Sequence, residues 1–153
     1  MKNVIILDLD GVLILTPNWK SDGIHSDGYS EFNSDCVQNL NSLMDNLDAE
    51  LWLSSTRRLS KNLGQFQEIF KNRNIKVPLA GFLPGGTLGT ERKMEIDTFL
   101  DHEPIRNFLI IDDDKSLNGL ESDRKQFWVQ TELLIGFNTE KLNEAREIIK
   151  KWV

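Results

Sequence analysis

The chain has 153 residues, with 24 acidic and 18 basic side chains and a formal net charge of −6. This length suits one compact domain, and a hydrophobic content of 39% is ordinary for a globular protein with a real core. The acidic balance gives no broad basic surface for nucleic acid. The single cysteine excludes an intrachain disulfide. With only two histidines and no cluster of cysteine and histidine, a zinc site is not expected.

The first residues are typical of a buried strand. Residues 3–9 form an almost continuous apolar run, as in strands that are covered on both faces of a parallel sheet. Asp8 and Asp10 interrupt this run too early for a signal peptide or a membrane span. We therefore expect a cytoplasmic protein that does not associate with membranes.

Strands and helices are predicted to alternate along the chain. Strands are expected at 3–9, 50–54, 76–82, 107–111 and 127–130, and Pro78 makes the third an edge strand. Helices are expected after the capping residues Ser34 or Asp35, Ser60, Thr90 and Thr139. This order predicts the α/β class, as a three-layer sandwich with a mainly parallel Rossmann-like sheet. We predict a single domain over residues 1–153, with a loop insertion at about 14–33.

Polar side chains follow the predicted strands at one edge of the sheet. Asp8 and Asp10 end the first strand, the segment 54–57 (Ser-Ser-Thr-Arg) ends the second, and 112–114 (Asp-Asp-Asp) ends a later one. Lys93 lies at the start of a helix. Ligands of open parallel sheets bind beyond the carboxyl ends of the strands, so these groups should converge. Crowded carboxylates need a cation, and Mg²⁺ prefers oxygen ligands.

These residue types can transfer a phosphoryl group. Asp8 is positioned as a nucleophile that would form an aspartyl-phosphate, and Asp10 as the general acid and base. A serine hydroxyl and the Lys93 ammonium would hold the phosphate oxygens. Each piece alone has a common structural reading as a turn, a helix cap or a solvated charge. Their joint placement after apolar strands favours the chemical reading.

Four segments also resemble, in order, the motifs of the haloacid dehalogenase-like (HAD) superfamily. They are Ile-Leu-Asp-Leu-Asp-Gly-Val-Leu around Asp8, Leu-Trp-Leu-Ser ending at Ser54, Lys93, and Leu-Ile-Ile-Asp-Asp ending at Asp113. The resemblance implies a Mg²⁺ ion held by Asp8, Asp10 and Asp113, with Asp10 contributing its backbone carbonyl. It also implies that Asp112 orients metal waters or Lys93. Because Asp10 lies two residues after the expected nucleophile, the chain resembles the phosphoryl-transfer branch of the superfamily and not its dehalogenases.

The chain further resembles the compact HAD domains of Swiss Army Knife RNA repair proteins. Its segments Leu-Ser-Ser-Thr-Arg-Arg, Arg-Lys-x-x-Glu-Ile and Trp-Val-Gln-Thr carry this likeness, although Arg57 stands where members commonly have tryptophan. Ser54, Ser55 and Arg57 are then the expected phosphate-binding residues, with Ser54 favoured. No cap domain fits between residues 57 and 92, so the resemblance implies an open site for a phosphorylated and bulky substrate.

The leading hypothesis is a Mg²⁺-dependent phosphomonoesterase. A first alternative is a domain that processes phosphate ends of nucleic acid, with Arg57, Arg58, Arg92 and Trp19 as contacts; the acidic charge does not favour it. A second alternative is a non-catalytic module that binds phosphate or metal. The register of the helix at Lys93 leaves Arg92 as the other cation that can face the site.

Overall fold

A computed structural model describes residues 1–86 and 90–153. The strands are β1 (Lys2–Leu7), β2 (Glu50–Leu53), β3 (Leu79–Phe82), β4 (Ile105–Asp112) and β5 (Trp128–Gln130). The α-helices are α1 (Ser34–Met44), α2 (Leu63–Asn72), α3 (Arg92–His102), α4 (Ser122–Lys125) and α5 (Thr139–Ile149), and 3-10 helices span Thr56–Leu59 and Lys115–Gly119. In these ranges no helix combines the length and the apolar character that crossing a membrane requires.

The five strands form one parallel sheet in the order β3-β2-β1-β4-β5. The predicted α/β class is confirmed, and β3 lies at the edge as its proline indicated. Strand β1 is central, and its last residue, Leu7, pairs with Leu53 of β2 and with Ile111 of β4. This register aligns the carboxyl ends of the three middle strands, which is where the polar segments follow.

Apolar residues cover both faces of the sheet, because successive side chains of a strand point to opposite sides. Ile5 and Leu7 of β1 pack with the apolar faces of α1, α2 and α5. Val4 and Ile6 pack on the other side with Ile96 and Phe99 of α3 and with the second 3-10 helix. The result is the predicted three-layer sandwich.

The helices begin one or two residues away from the predicted caps. Asparagine side chains cap three of them: Asn33 accepts from the Cys36 N–H, Asn62 from Gln65, and Asn138 from Lys141. The fourth, α3, begins after Glu91 without a side-chain cap. The predicted caps Ser34 or Asp35, Ser60, Thr90 and Thr139 were therefore wrong. Asparagine caps as well as serine does, so nearby candidates compete.

A long connection between β1 and α1 folds back onto α2. Its residues 14–33 are those predicted as a loop, and an isolated bridge joins Ile24 to Ser30. Arg73, the residue that follows α2, anchors it through both carboxylate oxygens of Asp27 and the backbone oxygen of Ser30. Phe32 is buried, whereas the Trp19 side chain is 84% exposed. The connection is thus a folded part of the domain surface.

Candidate active site

Three carboxylates meet at the ends of the two central strands. Asp8 follows β1, Asp112 ends β4, and Asp113 comes next. The Asp8 N–H donates to the backbone oxygen of Ile111 at 3.0 Å, which extends the strand register into the site. One carboxylate oxygen from each aspartate lies within 4.8 Å of the others. The sequence predicts Asp8, Asp10 and Asp113 as metal ligands with Asp112 behind them, and the structure brings the carboxylates of Asp8, Asp112 and Asp113 together.

The cluster is electrostatically crowded. Asp112 is fully buried, and burial together with the charge of Asp8 raises its pKa well above the usual range. The same two causes raise the pKa of Asp113 to about 7. A divalent cation would relieve this repulsion, and the all-oxygen donor set suits Mg²⁺.

A tight turn brings backbone close to Asp113. Gly11 has φ +78°, a conformation that glycine adopts at little cost. A Cβ atom at this position would lie 2.2 Å from Oδ2 of Asp113, which is an impossible contact. The turn therefore packs its backbone directly against the Asp113 carboxylate. The clustered carboxylate oxygens fit a metal ion at Asp8 and Asp113.

Arg92 is the cation at the cluster, and Lys93 is not. The Arg92 Nη1 group donates to Asp112, lies 3.4 Å from Oδ2 of Asp8, and is 3.5 Å from the Ser54 hydroxyl. Although burial acts in the opposite direction, Asp112 and Asp8 raise the Arg92 pKa. Arg92 Nε has no hydrogen-bond partner within the described ranges. By contrast, Lys93 Nζ pairs with Asp97 at 2.8 Å on the side of the helix.

The register of α3 explains this exchange. Successive helix residues are rotated by about 100°, so one position changes the face that a side chain occupies. Arg92, Glu95, Ile96 and Phe99 are buried and follow the spacing i, i+3, i+4, i+7. The sequence expectation placed Lys93 on this face, and the structure corrects it. Counting back from Ile96 and Phe99 would have selected Arg92.

The two predicted phosphate-binding serines have different surroundings. Ser54 is fully buried, and its hydroxyl donates to Oδ2 of Asp112 at 3.4 Å. Ser55 is also buried, but its hydroxyl caps the first 3-10 helix by accepting from the Arg57 N–H at 3.2 Å. Ser54 is therefore the hydroxyl that the structure brings to the carboxylates, as the sequence favoured.

The Asp10 carboxylate lies outside the cluster and is held by Arg57. Arg57 Nε and Nη2 each donate to one oxygen of Asp10 at 2.9 Å, which makes a bidentate pair. The same guanidinium contacts Asp22, Tyr29 and Ser30 of the long loop. These hydrogen bonds to Asp10 and the loop raise the Arg57 pKa, although burial opposes them. Arg57, predicted to bind phosphate, is thus placed on Asp10 and the loop.

A buried pair that sequence reasoning missed supports the site from behind. Arg58 donates to Glu95 at 2.7 Å and to the backbone oxygens of Ser54 and Ser55. Glu95 also lies 3.6 Å from Nε of Arg92. The signal for it was present, because Glu95 stands three residues after Arg92 on the buried face of α3.

A cleft of about 610 Å³ adjoins Asp113 on the β5 side. Lys115, Gln130 and Lys141 are among the residues that line it. The cleft gives polar space next to the carboxylates at an edge of the sheet.

Residues 4–142 match the family described as the HAD domain in Swiss Army Knife RNA repair proteins. Since the match covers most of the chain, the chain belongs to this family. It is thereby a member of the HAD superfamily, and its parallel sheet and aspartate cluster agree with the hydrolases of that superfamily. A comparison with curated proteins finds no match.

Proposed function

We propose that the protein is a Mg²⁺-dependent phosphomonoester hydrolase in which Asp8 is the nucleophile. The observation that carries the proposal is the convergence of Asp8, Asp112 and Asp113, with their ligand atoms within 4.8 Å, beside the buried Arg92 guanidinium. A carboxylate at the end of the central strand, next to a cation with donors to spare, is suited to attack on phosphorus.

The reaction needs two steps that use the same residues. A carboxylate oxygen of Asp8 bonds to phosphorus, the ester oxygen leaves, and Asp10 gives that oxygen a proton. Water then attacks phosphorus of the aspartyl-phosphate, Asp10 takes the proton, and Asp8 and inorganic phosphate separate. The Leu9 N–H donates to Oδ1 of Asp8 at 2.8 Å and thereby orients the nucleophile.

Arg92 and Ser54 are the groups that would hold the phosphoryl oxygens. Arg92 Nη1 lies 3.4 Å from Oδ2 of Asp8, so a phosphoryl group on Asp8 would lie within reach of the guanidinium. Its guanidinium stays charged during the reaction, so it stabilises negative charge as it shifts between oxygens. The Ser54 hydroxyl lies 3.5 Å from the same guanidinium, and its O–H would turn from Asp112 to a phosphoryl oxygen to serve as a second donor. These assignments give Arg92 the role that the sequence expectation gave to Lys93.

Asp8 and Asp113 would hold the magnesium ion, with the backbone carbonyl of Asp10 as a further ligand. Asp112 is less available, because its oxygens already accept bonds from Arg92, Ser54 and the Asp114 N–H. When bound, Mg²⁺ supplies charge neutralisation between the carboxylates and the substrate phosphate.

A panel of phosphorylated compounds tests the proposal. It contains 4-nitrophenyl phosphate, an alkyl phosphate, and oligonucleotides with 3′- or 5′-phosphates, each with Mg²⁺ or with EDTA. We expect Mg²⁺-dependent phosphate release by the wild type and none by Asp8→Asn. Phosphate binding without release of phosphate from any member would favour the non-catalytic module instead.

Phosphate ends of RNA are the second candidate substrate, because the family description names RNA repair proteins. The exposed Trp19 on the long loop offers a surface on which a base can stack. In the same panel, preference for a phosphorylated oligonucleotide over a small ester by more than about tenfold, reduced in Trp19→Ala, would support this candidate. Equal turnover of both substrate types would count against it.

A further inference from the structure

We propose that Arg57 is a positioning residue, which fixes the Asp10 carboxylate to the loop 14–33 and does not bind the substrate phosphate. This inference deepens the proposed function and rests on it, because it concerns the orientation of the acid and base group. It changes the role of a residue that the sequence alone assigned to phosphate binding.

The hydrogen-bond donors of Arg57 are fully occupied. A guanidinium has five N–H groups. In Arg57, Nε donates to Asp10, Nη2 to Asp10 and Asp22, and Nη1 to Tyr29 and Ser30, at 2.9 to 3.3 Å. All five donors are therefore directed at protein oxygens. A phosphate could bind this guanidinium only by displacing one of these partners.

The charges around Arg57 also disfavour an anion. One guanidinium faces the two carboxylates of Asp10 and Asp22, so the group as a whole is negative. Arg92 differs, because it retains an unpartnered N–H within the described ranges. A phosphate at Arg57 would therefore have to displace a protein partner and approach two carboxylates whose shared cation is already paired.

The loop side of the network is closed by its own contacts. The Ser30 hydroxyl donates to Oδ2 of Asp22 at 2.6 Å, the same oxygen that accepts from Arg57. Tyr29 packs edge-on against Phe66 of α2 with ring centroids 5.8 Å apart. These contacts fix the loop to the domain, and Arg57 links the Asp10 carboxylate to the fixed loop. A bidentate pair sets both the direction and the plane of the Asp10 carboxylate.

Proton donation matters most for a poor leaving group. A misplaced Asp10 should therefore slow the hydrolysis of an alkyl phosphate more than that of 4-nitrophenyl phosphate. An alkoxide needs the proton, whereas 4-nitrophenolate leaves readily without it. The test compares 4-nitrophenyl phosphate with an alkyl phosphate in Arg57→Met, Arg57→Lys and Asp10→Asn. Lys61→Met is the matched control, because Lys61 lies over the Tyr29 ring without contact to Asp10.

We expect Arg57→Met to lower kcat for the alkyl ester about tenfold more than for the nitrophenyl ester. Asp10→Asn should show the same selectivity with a larger loss, of about 10²-fold or more. The double variant Arg57→Met/Asp10→Asn should have the same kcat as Asp10→Asn, because both substitutions disable the same proton transfer by Asp10. Arg57→Lys should restore part of the kcat for the alkyl ester that Arg57→Met loses. Lys61→Met should leave kcat for both esters at the wild-type value. Inhibition by inorganic phosphate should be unchanged in Arg57→Met.

Hydrogen exchange supplies a measurement that does not depend on turnover. Asp10→Asn, Asp22→Asn and Arg57→Met should each raise amide exchange in residues 14–33, and Lys61→Met should not. A weaker inhibition by phosphate in Arg57→Met, or an equal loss on both esters, would overturn the inference and leave the proposed function standing. Absence of Asp8-dependent turnover on either ester would overturn the proposed function and the catalytic part of this inference. Unchanged exchange in Asp10→Asn would refute the link between Asp10 and the loop.

Discussion

The two sides of the candidate site differ in how completely their polar groups are matched. On one side, Asp8, Asp112 and Asp113 face a single guanidinium, two of their pKa values are raised, and Arg92 keeps an unpartnered N–H within the described ranges. On the other side, every donor of Arg57 has a partner in Asp10 or the loop.

The difference separates binding from positioning. A group whose partners are complete gains little from a ligand, since any new bond replaces an existing one. A crowded carboxylate cluster gains much, because a cation relieves the repulsion between its members. The carboxylate side is therefore the place where ligands should act, and the Arg57 side is the support that keeps its geometry.

The largest expected effect is at the nucleophile. Asp8→Asn should lower kcat by several orders of magnitude, because it removes the group that bonds to phosphorus. The measurement is phosphate release on the best substrate of the panel, with circular dichroism to verify the fold. Asp48→Asn, at an exposed aspartate, is the matched control. Retained turnover in Asp8→Asn would reject Asp8 as the nucleophile.

Arg92→Met should come next, with a loss of about 10²- to 10³-fold in kcat/KM, as for other groups that stabilise charge in a transition state. The side chain is buried beside Asp112 and Asp8, so its removal leaves both carboxylates without the guanidinium that they face. Arg106→Met, at an exposed arginine of β4, is the control. A normal kcat/KM in Arg92→Met would remove the guanidinium from the binding side of the comparison.

Magnesium should stabilise the fold through the carboxylate side only. At about one hundred times its dissociation constant, a ligand adds about 2.7 kcal/mol to the free energy of unfolding. For a chain of this size, that corresponds to a rise in Tm of roughly 5–10 °C. Asp113→Asn should abolish the rise, and Arg57→Met should retain it. A Mg²⁺-dependent rise in Asp113→Asn equal to that of wild type would contradict the assignment.

The stability of the metal-free protein should fall as pH rises. The folded pKa of Asp113 is about 7, above the usual 3.8 of an aspartate, so the folded state holds the proton more tightly. This contribution is fully present below about pH 4 and is lost as pH rises through 7. Urea unfolding in EDTA at pH 5 and pH 8 measures it. The decrease in the free energy of unfolding between pH 5 and pH 8 should be smaller in Asp113→Asn than in wild type. An equal decrease in both proteins would assign it to other groups.

The smallest expected effect is at Lys93. Lys93→Ala should leave kcat/KM within about twofold of wild type, because its ammonium pairs with Asp97 away from the cluster. Its Tm should also change little, since the higher helix propensity of alanine offsets the loss of one half-buried ion pair. A loss in Lys93→Ala as large as that in Arg92→Met would contradict the register of α3.

The sequence was sufficient for the fold and for the carboxylates. Apolar runs ending in acid identified β1 and β4, and parallel strands bring their ends together, so Asp8 and Asp113 could be paired without coordinates. Ser54 was found for the same reason. These residues could be identified because they directly follow apolar strands, and an error of one or two residues in a strand end does not change that order.

The cations were harder to place, for two physical reasons. A helix changes face with each residue, so choosing Lys93 and not its neighbour Arg92 in the first turn of α3 placed the wrong side chain at the carboxylates. Arg57 depends on Asp22, Tyr29 and Ser30, which lie in a loop without periodicity. The partners of a long flexible side chain across such a loop leave no pattern in the sequence.

The central position of β1 has a consequence during synthesis. Its two neighbours in the sheet are β2 and β4, and β4 begins about one hundred residues later in the chain. At about 5–20 residues per second, the ribosome needs roughly 5–20 s to supply that partner. During this interval Val4, Ile5 and Ile6 lack one side of their final sheet. The emerging chain therefore exposes an apolar segment that stays without one of its two strand partners until β4 has been made.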